Sequence, residues 1–141
     1  MSNVYDIKID IDFKPIEYAN FVHNLVEKMV FLEDVFGLKF INVDVYETGK
    51  GLHIYFKVET ERKLKNTDIV VIQLALGSDY KREIYNWLRV RNGGNVKYWN
   101  KLFKVKTVKG KIVGVEHKSD LAKDIEREIM RVLKLTKALY S

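Results

Sequence analysis

The sequence predicts an α+β fold: a mainly antiparallel sheet with helices on one face, followed by a C-terminal basic hairpin and a last helix. Three observations carry this. Apolar and polar side chains alternate strictly in three runs, apolar residues recur at helical spacing between and after them, and glycine or asparagine breaks separate the pieces. The resulting order, β-α-β-β-α-α-β-β-α, groups its strands in pairs, as α+β proteins do.

In the first run, Tyr5, Ile7, Ile9, Ile11 and Phe13 share one face while Asp6, Lys8, Asp10 and Asp12 share the other, the pattern of a half-buried strand. Lys14-Pro15 ends it. Val22, Leu25, Val26, Met29, Leu32 and Phe36 then repeat at helical spacing up to Gly37, a natural stop. Ile41, Val43 and Val45 alternate with Asn42, Asp44 and Tyr46. Leu52, Ile54, Phe56 and Val58 alternate with His53, Tyr55 and Lys57, and Thr48-Gly49-Lys50-Gly51 joins these two strands as a hairpin.

Asn66-Thr67-Asp68 supplies a cap for a helix over Ile69 to Leu76, which Gly77 closes, and Ser78 can cap the next helix through Arg91. Within that helix Tyr80, Ile84, Trp87 and Leu88 form the expected buried stripe, and Lys81, Tyr85 and Arg89 fall on another face. Asn92-Gly93-Gly94 breaks the chain. Leu102 to Val108 and Ile112 to Glu116 flank Lys109-Gly110-Lys111 as a basic hairpin. Ser119 or Asp120 caps the last helix, whose expected stripe is Leu121, Ile125, Ile129, Val132, Leu135 or Thr136, and Leu139.

The 141 residues fit one domain, 1–141, and 47% hydrophobic content is that of a chain that buries a core. No apolar run approaches the roughly 20 residues that span a bilayer, so a soluble cytoplasmic protein without a membrane partner is expected. The absence of Cys excludes a disulfide scaffold, a thiolate zinc site and a cysteine nucleophile, and three scattered His disfavour an all-histidine metal site. Zero Cys, one Gln and abundant Lys, Glu, Ile and Val follow the thermophile trend, against which nine Asn stand.

Charge is divided unevenly. Met1 to Glu61 holds six Lys against eleven Asp and Glu, net −5, whereas Lys81 to Lys111 holds ten Lys and Arg against one Glu, net +9. An acidic half beside a basic half points to nucleic-acid contact and suits metal-dependent chemistry on phosphates. In the basic half Arg82, Arg89, Arg91, Lys97, Tyr98, Trp99, Lys101, Lys104 and Lys106 interleave cations with aromatics, the combination that holds single strands through charge and base stacking.

A ferredoxin-like β-α-β-β start would set the first strand beside the third, both central, with their apolar faces on the helices. Asp10, Asp12, Asp44, Tyr46, His53, Tyr55 and Lys57 then share the open face. Asp10 and Asp12, two residues apart on a strand, point the same way about 6–7 Å apart. A divalent cation, Mg2+ or Mn2+, would relieve their repulsion and leave positions for phosphates.

The run Tyr5-Asp6-Ile7-Lys8-Ile9-Asp10-Ile11-Asp12, then a helix, a strand and Thr48-Gly49-Lys50-Gly51-Leu52-His53-Ile54-Tyr55, resembles the palm of archaeo-eukaryotic primases and primase-polymerases. The likeness covers roughly Tyr5 to Val58. It implies that Asp10 and Asp12 are metal ligands, that Lys50 and His53 contact a nucleotide triphosphate, and that Asp10, Asp12 and His53 form the catalytic set. It also implies DNA rather than RNA as partner and an archaeal mobile element or virus as source. Thr48 stands where that family uses Ser, and no hydrophobic-Asp strand follows Val58 to supply its third acid.

The expected function is therefore a nucleic-acid-binding protein of DNA replication or repair, with two-metal nucleotidyl transfer as its enzymatic form and replisome proteins or a second copy as further partners. Three alternatives compete. One is a non-catalytic single-stranded DNA or RNA module with a sheet like that of RNA-recognition motifs, although Asp10, Asp12 and Asp44 would repel RNA there. Another is a rolling-circle initiator nuclease, which needs a His-x-His pair where this chain has only His53. The last is a viral or protein-interaction component that meets no nucleic acid.

Overall fold

A computed structural model describes residues 2–93, 99–102 and 104–140, with the backbone alone at 105–108, 113 and 140. Its elements are β1 (Asn3–Ile11), α1 (Tyr18–Phe36), β2 (Leu38–Glu47), β3 (Leu52–Thr60), α2 (Asn66–Ala75), α3 (Tyr80–Arg91), β4 (Val105–Val108), β5 (Lys111–Val115) and α4 (Asp120–Tyr140). The architecture is α+β, compatible with a ferredoxin-like fold. β1, β3 and β2 form an antiparallel sheet in that order, and β4 and β5 pair separately. Central position thus belongs to β3 alone, because β1 has a strand on one side only.

Alternation dictates which sheet face is dry. Ile7, Ile9 and Ile11 of β1, Val43 and Val45 of β2, and Leu52, Ile54, Phe56 and Val58 of β3 are all buried. With Val22, Leu25, Val26, Met29 and Leu32 of α1 and Ala122, Ile125, Ile129, Val132 and Leu133 of α4 they form one hydrophobic cluster. Burying a side chain of this kind stabilises by about 1.5–3 kcal/mol. The pattern fails at three points. Phe13 is exposed because strand pairing stops at Ile11 opposite Leu52, and its ring turns to meet Phe21 edge-on at 5.9 Å. A register shift between Phe40 and Asn42 turns Ile41 outward and brings Phe40 into the core against Phe56. On α4, Ala122 and Leu133 face the core, whereas Leu135 and Leu139 are exposed.

Cap positions also shift. Asp68 Oδ2 accepts from Lys65 N, so α2 starts slightly earlier than its Asn-Thr-Asp run suggests. Asp79, not Ser78, caps α3 by accepting from Arg82 N. Ser119 Oγ accepts from Ala122 N at the start of α4. The β4–β5 turn is made by Lys109 and Gly110, both at positive φ of 53° and 78°, as tight hairpins require.

The largest departure is α3, which packs with its polar side inward. Glu83 and Asn86 are buried, while Tyr80, Ile84, Trp87 and Leu88 are exposed. The cause is the open edge of β1, whose backbone groups need partners. Gln73 Oε1 accepts from Lys8 N at 2.9 Å, Ser78 Oγ accepts from Asp10 N at 3.0 Å, and Asp79 N donates to Asp10 O at 2.8 Å. Arg82 Nη1 donates to Lys8 O at 3.1 Å. Glu83 then collects Gln73 Nε2, Ser78 Oγ, Asn86 Nδ2 and the Arg82 guanidinium. The outer edge of β2 is closed likewise: Phe40 N donates to Glu33 and Val45 N to Glu126.

Candidate functional site

The polar face of the sheet is a register grid. Asp10, His53 and Tyr46 make one cross-strand row, Lys8, Tyr55 and Asp44 the next, and Asp6, Lys57 and Asn42 the third. Lys57 Nζ pairs with Asp6 at 2.9 Å. The Tyr46 and Tyr55 rings meet edge-on at 5.6 Å, and Lys118 lies over Tyr46 at 4.6 Å.

After β5 the chain bonds reciprocally to the end of β2, with Glu47 N donating to His117 O and His117 N to Glu47 O. That clamp lays Glu116 on the middle of the sheet, its side chain 5% exposed. One of its oxygens lies 2.9 Å from His53 Nδ1 and accepts from the Tyr55 hydroxyl at 2.6 Å. Burial, then the Glu116 carboxylate, push the Tyr55 phenol well above its ordinary range.

His53 is therefore a buried bridge, with Nδ1 on Glu116 and Nε2 3.6 Å from Asp10 Oδ1. The residue expected from the sequence to contact nucleotide phosphates is 7% exposed and stands between these two carboxylates. Asp10 is raised above the usual carboxylate range by burial, against which the charges of His53 and Arg82 act.

Two cavities meet at Asp10. The first, about 340 Å³, is lined by Asp10, Asp12, the Thr48–Gly51 turn, Lys104, Gly114 and Glu116. The turn is tied by Thr48 Oγ1, which accepts from Gly51 N at 3.0 Å, so threonine supplies the hydroxyl this loop needs. Gly51 is required by closeness, since a Cβ there would stand 1.8 Å from Ile11 O. The second cavity, about 310 Å³, is a groove whose walls include Asp10 and Asp79 together with Lys81, Tyr85, Arg89 and Lys101.

The expected residues thus divide. Asp10, Asp12, Lys50 and Lys104 converge on the first cavity, and Arg89 and Lys101 on the groove. Arg82 also lines the groove, but its Nη donors are committed to Lys8 O, Glu83, Asn100 Oδ1 and Lys101 O, and its buried Nε finds no partner among the described residues. Those bonds tie Arg82 to the β1 edge and to the segment around Asn100. Arg91 sits over the Trp87 ring at 5.0 Å, away from the groove. Lys97 and Tyr98 lie outside the described residues, as does the side chain of Lys106. Trp99 packs against the core. Among the described residues no three His, Asp or Glu side chains are placed to share a metal ion, since Glu116 is turned toward His53 and Tyr55. No described helix is long and apolar enough to cross a membrane.

Glu116, Lys81 and Tyr85 complete the site. Lys81 and Tyr85 were legible as a helical face with Arg89; Glu116 carried no signal, being one acidic residue after a hairpin. Comparison with protein-family models, curated proteins and solved structures finds no match.

Proposed function

We propose that this protein binds nucleic acid in DNA replication or repair, holding a strand along the α3 groove with its end at Asp10. The observation that carries this is the position of Asp10 in the wall shared by a cation-lined groove and an acidic cavity. Exposed Tyr85 lies one helical turn from Lys81 and one from Arg89, which spaces a base-stacking ring between phosphate-binding cations. Groove variants test it: Lys81→Ala with Arg89→Ala should weaken oligonucleotide binding, and unchanged affinity would refute the groove.

A second reading, metal-dependent nucleotidyl transfer by a primase-like palm, is favoured by Asp10 and Asp12 lining one cavity with Lys50 and Lys104. The donor set suits Mg2+ or Mn2+, which proteins hold through one or two carboxylates while substrate phosphates and waters complete the shell. Asp10 and Asp12 would hold the ion, and Lys50 and Lys104 would face the phosphates. Bound there, the ion would neutralise phosphate charge. His53 Nε2 stands 3.6 Å from Asp10 Oδ1, and the Thr48–Gly51 turn lines the same cavity. Primer extension with Mn2+ and nucleotide triphosphates tests this reading: it should proceed in the wild type and stop in Asp10→Ala with Asp12→Ala. Absence of extension in the wild type would leave a binding protein.

A further inference from the structure

The helix α3 presents three sectors. Glu83 and Asn86 face inward, Lys81, Tyr85 and Arg89 border the groove, and Tyr80, Ile84, Trp87 and Leu88 fall at i, i+4, i+7 and i+8 on the third. Those four are 59%, 50%, 38% and 39% exposed. Four large apolar side chains in one row on a helix anchored by a buried polar network form a contiguous patch of the kind that marks an interaction site. Its C-terminal end is cationic, with Arg91 stacked on Trp87. The occupant must be apolar at its centre and acidic at its rim.

The chain carries such a surface itself. On the outer side of α1, Phe31 and Val35 stand one turn apart at 64% and 51% exposure, and exposed Glu27 and Asp34 flank Phe31 at i−4 and i+3, with the cation Lys28 beside them at i−3. We infer that the α3 stripe of one copy docks on the outer face of α1 of a second copy, head to tail. The two patches differ, so each bound pair keeps one of each free, and assembly continues into a ring or a filament. The opposite signs of Arg91 at the rim of one patch and of Glu27 and Asp34 at the rim of the other favour this pairing and steer it. A symmetric α3–α3 contact would instead bring the cationic helix against itself. Strand pairing offers no competing route where Gln73, Ser78, Glu33 and Glu126 occupy edge N–H groups of β1 and β2. No residue of the stripe lines the groove, so this inference does not rest on the nucleic-acid reading.

Sedimentation velocity of the full chain, freed of nucleic acid, tests it across a concentration series. The wild type should sediment faster as concentration rises, and less so in high salt. Trp87→Glu and Phe31→Glu should each remain monomeric, while their mixture should give a one-to-one dimer that grows no further, since each supplies the face the other lacks. Reversing both rims at once, Arg91→Glu with Asp34→Arg, should restore association that either change alone weakens. A wild type monomeric at every concentration would overturn the inference. So would undiminished association of Phe31→Glu, which would mean a contact that does not use α1.

Discussion

His53 Nδ1 lies 2.9 Å from Glu116 Oε2 across a sequence separation of 63 residues. The same carboxylate oxygen accepts the Tyr55 hydroxyl, so one side chain from the end of the hairpin fastens two neighbouring rows of the sheet. It also shapes the cavity that contains Asp10 and Asp12. Because the Tyr55 phenol ionises later in the folded than in the unfolded chain, the folded state holds that proton longer. Stability from this group is whole below about pH 10, the ordinary phenol value, and falls as pH rises beyond it. Urea midpoints measured between neutral and strongly alkaline pH should show that decline in the wild type. Glu116→Gln, which removes the carboxylate charge, should make it shallower.

Asp10 follows the same sign in the acid range. Burial raises its carboxyl above the ordinary value, so the folded state binds its proton more tightly than the unfolded state does. Stability from this group is therefore lost as pH rises through the acid range, and at neutral pH the ionised carboxylate is a cost. Asp10→Asn should raise the thermal midpoint at pH 7 while weakening any metal- or phosphate-dependent property. A lowered midpoint would mean that the charge of Asp10 is stabilising.

Glu83 is the hub of the β1 edge closure, at 1% exposure. Removing one partner of a buried charged network costs about 3–5 kcal/mol, because the others keep their desolvation cost without compensation. Glu83→Ala should therefore lower unfolding free energy by about that amount in chemical denaturation, and Glu83→Gln by less. Equal, small losses for both would show that the network is dispensable.

Gly51 faces the backbone of β1, so Gly51→Ala cannot be relieved by rotating a side chain. Overpacking of this kind costs about 1–3 kcal/mol, and a backbone obstacle places it at the upper end. Gly49→Ala provides the comparison within the same turn, with a smaller expected loss in the same denaturation measurement.

The sheet was legible because each strand has one dry face: alternation in Ile7, Ile9 and Ile11 and in Leu52, Ile54, Phe56 and Val58 encodes it directly. The grid of Asp10, His53, Tyr46, Tyr55 and Lys57 follows from the same period. The orientation of α3 was not legible, because apolar spacing assigns Trp87 and Leu88 to the interior. It cannot register that β1 lacks a partner strand and that Gln73, Ser78, Arg82 and Glu83 must serve its edge instead. Glu116 was hidden for a related reason: its position depends on the Glu47–His117 bridge, a contact between distant segments with no local pattern.

On the reading proposed above, the α3 groove binds nucleic acid with its strand end at Asp10. Fluorescence anisotropy of a labelled single-stranded oligonucleotide across a salt series, with wild type and Lys81→Ala with Arg89→Ala, tests it most directly. Log affinity should fall linearly with log salt, and the variant should flatten that slope by about 0.7 for every phosphate it no longer neutralises. Tyr85→Ala should cost about 1–3 kcal/mol with the slope unchanged, as loss of a stacking ring does. Binding that is absent at low salt, or equal in wild type and groove variants, would contradict the account.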